Sequence, residues 1–67
     1  MTEGERLQAF RKAKGFTQTE LAEKTGINYR IIQAYEQDQR SLSRAEAIRV
    51  LRICKALGCN LDDILDD

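Results

Sequence analysis

Histidine, proline and tryptophan are absent from this 67-residue chain. Without histidine, the commonest general base and a common metal ligand are both missing. No run of apolar residues is longer than two, as at Ile31-Ile32, so no segment is read as a membrane span or a signal peptide. A cytoplasmic location is the expectation that follows. Neither charge sign dominates: 11 Lys and Arg balance 11 Asp and Glu. The cysteines are Cys54 and Cys59 alone. Their spacing is not that of a CxxC pair and no histidine can complete a zinc site. They are expected to be core thiols in a reducing compartment, with redox sensing as the alternative.

A chain this short holds one domain, residues 1–67, with one small core. It leaves no room for a separate catalytic domain or a broad cleft. It also has no nucleophile elbow and no paired-acid cleft, so an enzyme is not expected and no cofactor or metal is called for. Apolar residues make up 42% of the chain, too many for disorder.

The punctuation is helical. Thr2 and Glu5 fit a capping box, and Leu7 and Phe10 follow at helical spacing up to Gly15. Thr17 and Glu20 form a second box, opening a short helix that Gly26 ends. Asn28 caps a third helix. Ser43 and Glu46 suggest another box, before a helix with the stripe Ala47, Val50, Ile53, Cys54 and Leu57. Asn60 opens a last short helix. The expected fold is all-α, with five helices at roughly 3–14, 18–25, 28–37, 44–57 and 61–66 and no strand. The expected core is Leu7, Phe10, Phe16, Leu21, Ala22, Ile32, Tyr35, Val50, Ile53, Cys54, Leu57, Leu61 and Leu65.

The second and third helices flank Thr25-Gly26-Ile27, a turn too short to let them run antiparallel, so they must cross steeply. Leu21, Ala22, Ile27, Ile32 and Tyr35 then meet on the inner side. Gly26 is expected to hold a positive φ. Positions 29, 30, 33 and 37 lie away from the Ile32/Tyr35 stripe and can face outward. Arg30 has five donors and suits guanine O6 and N7. Gln33 and Gln37 can bond base edges or phosphates.

The run Phe16-Thr17-Gln18-Thr19-Glu20-Leu21-Ala22-Glu23-Lys24-Thr25-Gly26-Ile27, then Ile32 and Tyr35-Glu36, then Lys55 to Leu65 with its closing Leu61-Asp62-Asp63-Ile64-Leu65, resembles the lambda-repressor-like (Cro-type, xenobiotic-response-element) helix-turn-helix family. The resemblance covers nearly the whole chain. It implies a compact five-helix fold whose second and third helices form the DNA-binding unit, with the third in the major groove. It implies that Tyr29 and Arg30 stand at the main base-reading places and Ala34 at a further one. It gives Gln18 contact with backbone phosphate and a bracing role toward the recognition helix. It pairs Arg11 with Glu36, joining the first helix to the end of the third.

The sequence departs from the family twice. Asp38 stands where glycine is frequent; Asp tolerates the left-handed conformation, but its charge near a DNA backbone would be repelled. The stretch from Glu36 to Gly58 is about one helical turn longer than in the phage repressors, which implies a longer fourth helix or a longer entry loop. It resembles a bacterial subgroup more than the phage proteins.

A neutral chain with pI near 6.2 is unusual for a DNA binder. The distribution resolves part of this: residues 1–60 hold 11 basic and 7 acidic side chains, and Asp62, Asp63, Asp66 and Asp67 close the chain. Lys24, Arg40 and Arg44, near the two short helices, are candidate phosphate contacts, as are Asn28 and Gln37; Arg49, Arg52 and Lys55 are expected to be a solvated face of the fourth helix. The expected function is a sequence-specific DNA-binding transcriptional regulator, with double-stranded DNA as partner and a homodimer on a palindromic site. Ile48 and Leu51, or Leu61, Ile64 and Leu65, either form a dimer surface or finish the core. The alternative is a protein-binding module, antitoxin-like or serving a regulatory partner, on the same fold without DNA contact.

Overall fold

The computed structural model describes residues 1–66. Its elements are α1 (Glu3–Ala13), α2 (Gln18–Thr25), α3 (Tyr29–Glu36), a 3-10 turn (Leu42–Arg44), α4 (Ala47–Leu57) and α5 (Leu61–Ile64), with no strand among the described residues. No described helix is long and apolar enough to cross a membrane. Asp67, counted above with the acidic end, lies outside the described residues.

The first helix starts are local. Thr2 Oγ1 accepts the Glu5 amide at 3.1 Å and Glu5 returns the bond to Thr2 N at 2.9 Å. Thr17 and Glu20 repeat it at 3.1 and 3.0 Å. The backbone amides of Thr2 and Thr17, donating to them, hold Glu5 and Glu20 below the usual carboxylate range. Asn28 Oδ1 accepts Arg30 N at 2.8 Å.

The Ser43 box does not form. Residues 42–44 make a 3-10 turn, Ala45 is extended, and α4 begins at Ala47 behind Glu46, which supplies no side-chain cap. Leu42 decides the outcome, because its side chain is 1% exposed. Burying a leucine is worth about 1.5–3 kcal/mol, against about 1 kcal/mol for one cap. The extra length before Gly58 is therefore an entry loop, and α4 is shorter than expected.

The core is Leu7, Leu21, Ile27, Ile32, Tyr35, Leu42, Val50, Ile53, Cys54, Leu57 and Ile64. Phe10, Phe16, Ala22 and Leu65 pack against it only partly buried. Leu61 was expected inside and is instead 40% exposed, while Ile64 is fully buried. The single turn of α5 packs on α1 and α4. Ile64 takes the inward place, and Leu61 is left on the rim of a groove beside Leu51.

Gly26 closes α2 at φ 72°, and a Cβ there would meet only Arg52 Nη1 at 3.9 Å. The cost of a side chain at this position is therefore conformational. Gly26→Val is expected to lower stability by about 1–2 kcal/mol, with Gly26→Asn less affected. Urea denaturation of both variants measures it, and a Val variant as stable as the parent would contradict the reading.

Candidate functional site

The turn between α2 and α3 is tied from inside. Thr25, buried, donates its hydroxyl to Leu21 O at 2.8 Å and accepts Ile27 N at 3.3 Å. Leu21 and Ile32 are fully buried and Tyr35 is 2% exposed. With that face inward, Tyr29, Arg30 and Gln37 are exposed, and Gln33 and Ala34 are half-buried beside them. All five are brought to the outer side of α3. The Ala34 carbonyl also closes the helix, accepting Gln39 N at 2.9 Å and Arg40 N at 3.3 Å.

A buried polar cluster fixes this helix against its neighbours. Arg11 grips Glu36 with two bonds, Nε to Oε2 at 2.6 Å and Nη2 to Oε1 at 3.0 Å. Arg11 Nη1 also donates to Phe16 O at 2.7 Å. Gln18 Nε2 donates to Glu36 Oε1 at 3.1 Å, so its amide nitrogen braces α3 from α2. Arg11 and Glu36 come from α1 and α3, and their side chains are 9% and 1% exposed. Every buried side-chain polar atom among the described residues has a partner.

The acidic residue after α3 has a different task from the one its charge suggested. Asp38 adopts the left-handed conformation at φ 59°. Its carboxylate turns back onto α1, accepting Gly4 N at 3.0 Å and the Thr2 hydroxyl at 2.5 Å. It therefore satisfies one free amide, that of Gly4, at the positive end of α1 from outside that helix. Gly4 makes the approach possible: a Cβ there would lie 2.4 Å from Tyr35 O and 2.6 Å from Glu36 O. Sequence reasoning missed Gly4. The available signal was a glycine inside the first turn of an otherwise well-capped helix, where it weakens the helix unless something needs the space.

Lys24 is exposed and lies over the Phe16 ring, 5.0 Å from its centroid. Arg40 and Arg44 are exposed in the loop after α3. At the acidic end, Asp66 pairs with Arg6, whose Nε also bonds Ile64 O at 2.7 Å. The charge of Asp66 is thus drawn onto the first turns of α1. Cys54 is buried and Cys59 half-buried, both free. Burial pushes both thiols up, Cys59 to about 12, so neither is a thiolate at neutral pH, which weighs against the redox alternative.

A helix-turn-helix family model matches residues 7–64. Among solved structures, that of SinR, the master regulator for biofilm formation, in complex with DNA, is similar at a TM-score of 0.88 and 25% identity, covering 97% of this chain and 100% of that one. No curated protein sequence matches significantly.

Proposed function

The chain belongs to the lambda-repressor-like helix-turn-helix family, and from that premise we propose that it is a sequence-specific DNA-binding transcriptional regulator, reading the major groove with α3 as a dimer on a palindromic site. The observation that carries the reading is the outer face of α3. Tyr29 and Arg30 stand exposed at its amino end, on a helix braced by the Arg11–Glu36–Gln18 cluster. A rigid support is what base readout requires, since hydrogen bonds to base edges discriminate only when the donors are held in place.

In this reading Arg30 donates to a guanine edge, and Tyr29, Gln33 and Ala34 complete the base-facing surface. Gln18, Lys24, Asn28, Gln37, Arg40 and Arg44 contact phosphates. For Gln18, whose side-chain nitrogen already gives one hydrogen to Glu36, the contact is made by its backbone N–H at the start of α2. Of these only Lys24, Arg40 and Arg44 carry charge, so the salt slope is at most about three per half-site.

Duplexes selected from a random library would supply the cognate site. Arg30→Ala is expected to weaken cognate binding and to relax preference at one base pair per half-site, by about 1–3 kcal/mol. Arg40→Ala should weaken binding to all sequences alike and lower the salt slope by about one. Titration on cognate and scrambled duplexes at several salt concentrations separates the two. Equal losses on both duplexes for Arg30→Ala would make it a phosphate contact. A parent protein that binds no duplex would leave the protein-binding module as the reading.

A further inference from the structure

Arg40 and Arg44 lie on the loop between α3 and α4, whose regular structure is a single 3-10 turn. An arginine on a loose loop gives up conformational freedom when it meets a phosphate, and that loss subtracts from affinity. This loop is not loose. It leaves α3 at Asp38, whose carboxylate accepts Gly4 N at 3.0 Å and the Thr2 hydroxyl at 2.5 Å. Its middle is anchored by the buried side chain of Leu42. Beyond Leu42, Ser43 N donates to Glu3 Oε1 at 3.3 Å. Thr2, Glu3 and Gly4 are consecutive, so the start of α1 holds the loop on both sides of Arg40.

We propose that Asp38 is a positioning residue for DNA binding: through its hold on Thr2 and Gly4 it sets where Arg40 meets the phosphate backbone, an inference that rests on the DNA-binding reading above. The start of α1 then contributes to DNA affinity without touching DNA. Residue type supports a task for the carboxylate itself. Glycine takes a positive φ more readily than aspartate, so the turn alone does not call for an acid. An acid beside Arg40 also lowers the local positive potential, a disadvantage for a phosphate-binding loop. The geometry reduces that disadvantage, because the carboxylate is turned onto the positive end of α1. The hold reaches Arg40 through the backbone. The next two amides, those of Gln39 and Arg40, both donate to Ala34 O, so residues 38–40 form one closed turn on the end of α3.

Charge and positioning predict opposite signs for one substitution. Asp38→Gly keeps the turn and removes both the negative charge and the hold. If the charge alone mattered, its loss would tighten binding to any duplex. Positioning instead predicts binding about two- to fivefold weaker on cognate and scrambled duplexes alike, the worth of one exposed charge pair. Tighter or unchanged binding overturns the proposal. Asp38→Asn tolerates the same φ and keeps an uncharged acceptor for Gly4 N. It should bind more tightly than Asp38→Gly, and equal weakness would overturn the Gly4 bond as the hold.

A cycle with Arg40 separates placement from stability. In an Arg40→Ala background Asp38→Gly should cost little, since the side chain it places is gone. The same loss in both backgrounds would reflect a smaller folded fraction and overturn the proposal. Amide hydrogen exchange reads the hold without DNA. In Asp38→Gly the amides of Gly4, Arg40 and Ser43 should exchange faster, while those of α2 and α4 keep the parent's protection. Unchanged exchange at the three amides overturns the hold. A parent that binds no duplex would end the DNA-binding reading and this proposal with it. A parent that binds, with an Asp38→Gly variant that binds equally well, ends the proposal alone.

Discussion

Glu36→Ala is expected to cost the domain about 3–5 kcal/mol, enough to leave much of it unfolded at ordinary temperature. The loss exceeds that of an ordinary ion pair because the buried Glu36 carboxylate holds two partners at once, Arg11 and Gln18. Its removal strands the Arg11 guanidinium in a buried place, frees the Gln18 amide and unties α3 from both α1 and α2. A single buried charge without a partner is the costly state, whereas the intact pair itself adds little net stability. The double variant Arg11→Met/Glu36→Leu should therefore recover most of the loss. It should not recover all of it, because Phe16 O and Gln18 Nε2 remain without partners. Urea denaturation of Arg11→Met, Glu36→Leu and the double variant completes the cycle, with Glu36→Ala measured beside them. A loss below about 1 kcal/mol for Glu36→Ala would mean that water screens the pair as it does at a surface.

The second large effect sets two rules against each other. Gly4→Ala lies inside a helix, where alanine is normally favoured by about 1 kcal/mol. Here the added methyl would stand 2.4 Å from Tyr35 O, 2.6 Å from Glu36 O and 2.9 Å from Asp38 Oδ1. Two of those atoms are backbone and cannot swing aside, so α1 must move off the end of α3 and loosen the bonds to Asp38. Overpacking of this kind costs about 1–3 kcal/mol or more, and the expected net result is a loss of about 2 kcal/mol. Gly15→Ala is the comparison: nothing lies within 4 Å of a Cβ there, and only its φ of 77° opposes the change. Denaturation of both variants checks the order, and a Gly4→Ala protein more stable than the parent would refute the close approach.

Much of the site's framework was readable in advance. The inward stripe of α3 and its outward polar face follow from helical periodicity, and the arginine–glutamate pair followed from the family's pattern. The resemblance could give Gln18 a phosphate contact and a bracing role toward the recognition helix, without naming its partner there. The folded chain shows that its side-chain nitrogen is bonded to Glu36. The role of Asp38 was not readable, because its partners Thr2 and Gly4 lie 36 and 34 residues away in sequence. A left-handed conformation can be foreseen from residue type, but the direction in which a carboxylate turns depends on what the fold brings beside it.

The division runs along the range of the forces. Thr2, Thr17 and Asn28 start their helices through bonds to amides two or three residues on, and Gly26 and Gly58 end theirs through their own φ. Such features need no other part of the molecule, so the sequence alone determined them. The start of α4 was settled elsewhere. A plausible cap at Ser43 lost to Leu42, whose burial against distant helices outweighs one local hydrogen bond. The same holds for Leu61 and Ile64: both are apolar and nearly adjacent on one turn, and only the packing of α5 on α1 and α4 assigns one to the core and the other to an open groove. Burial is a property of the assembled chain, and no window of sequence contains it.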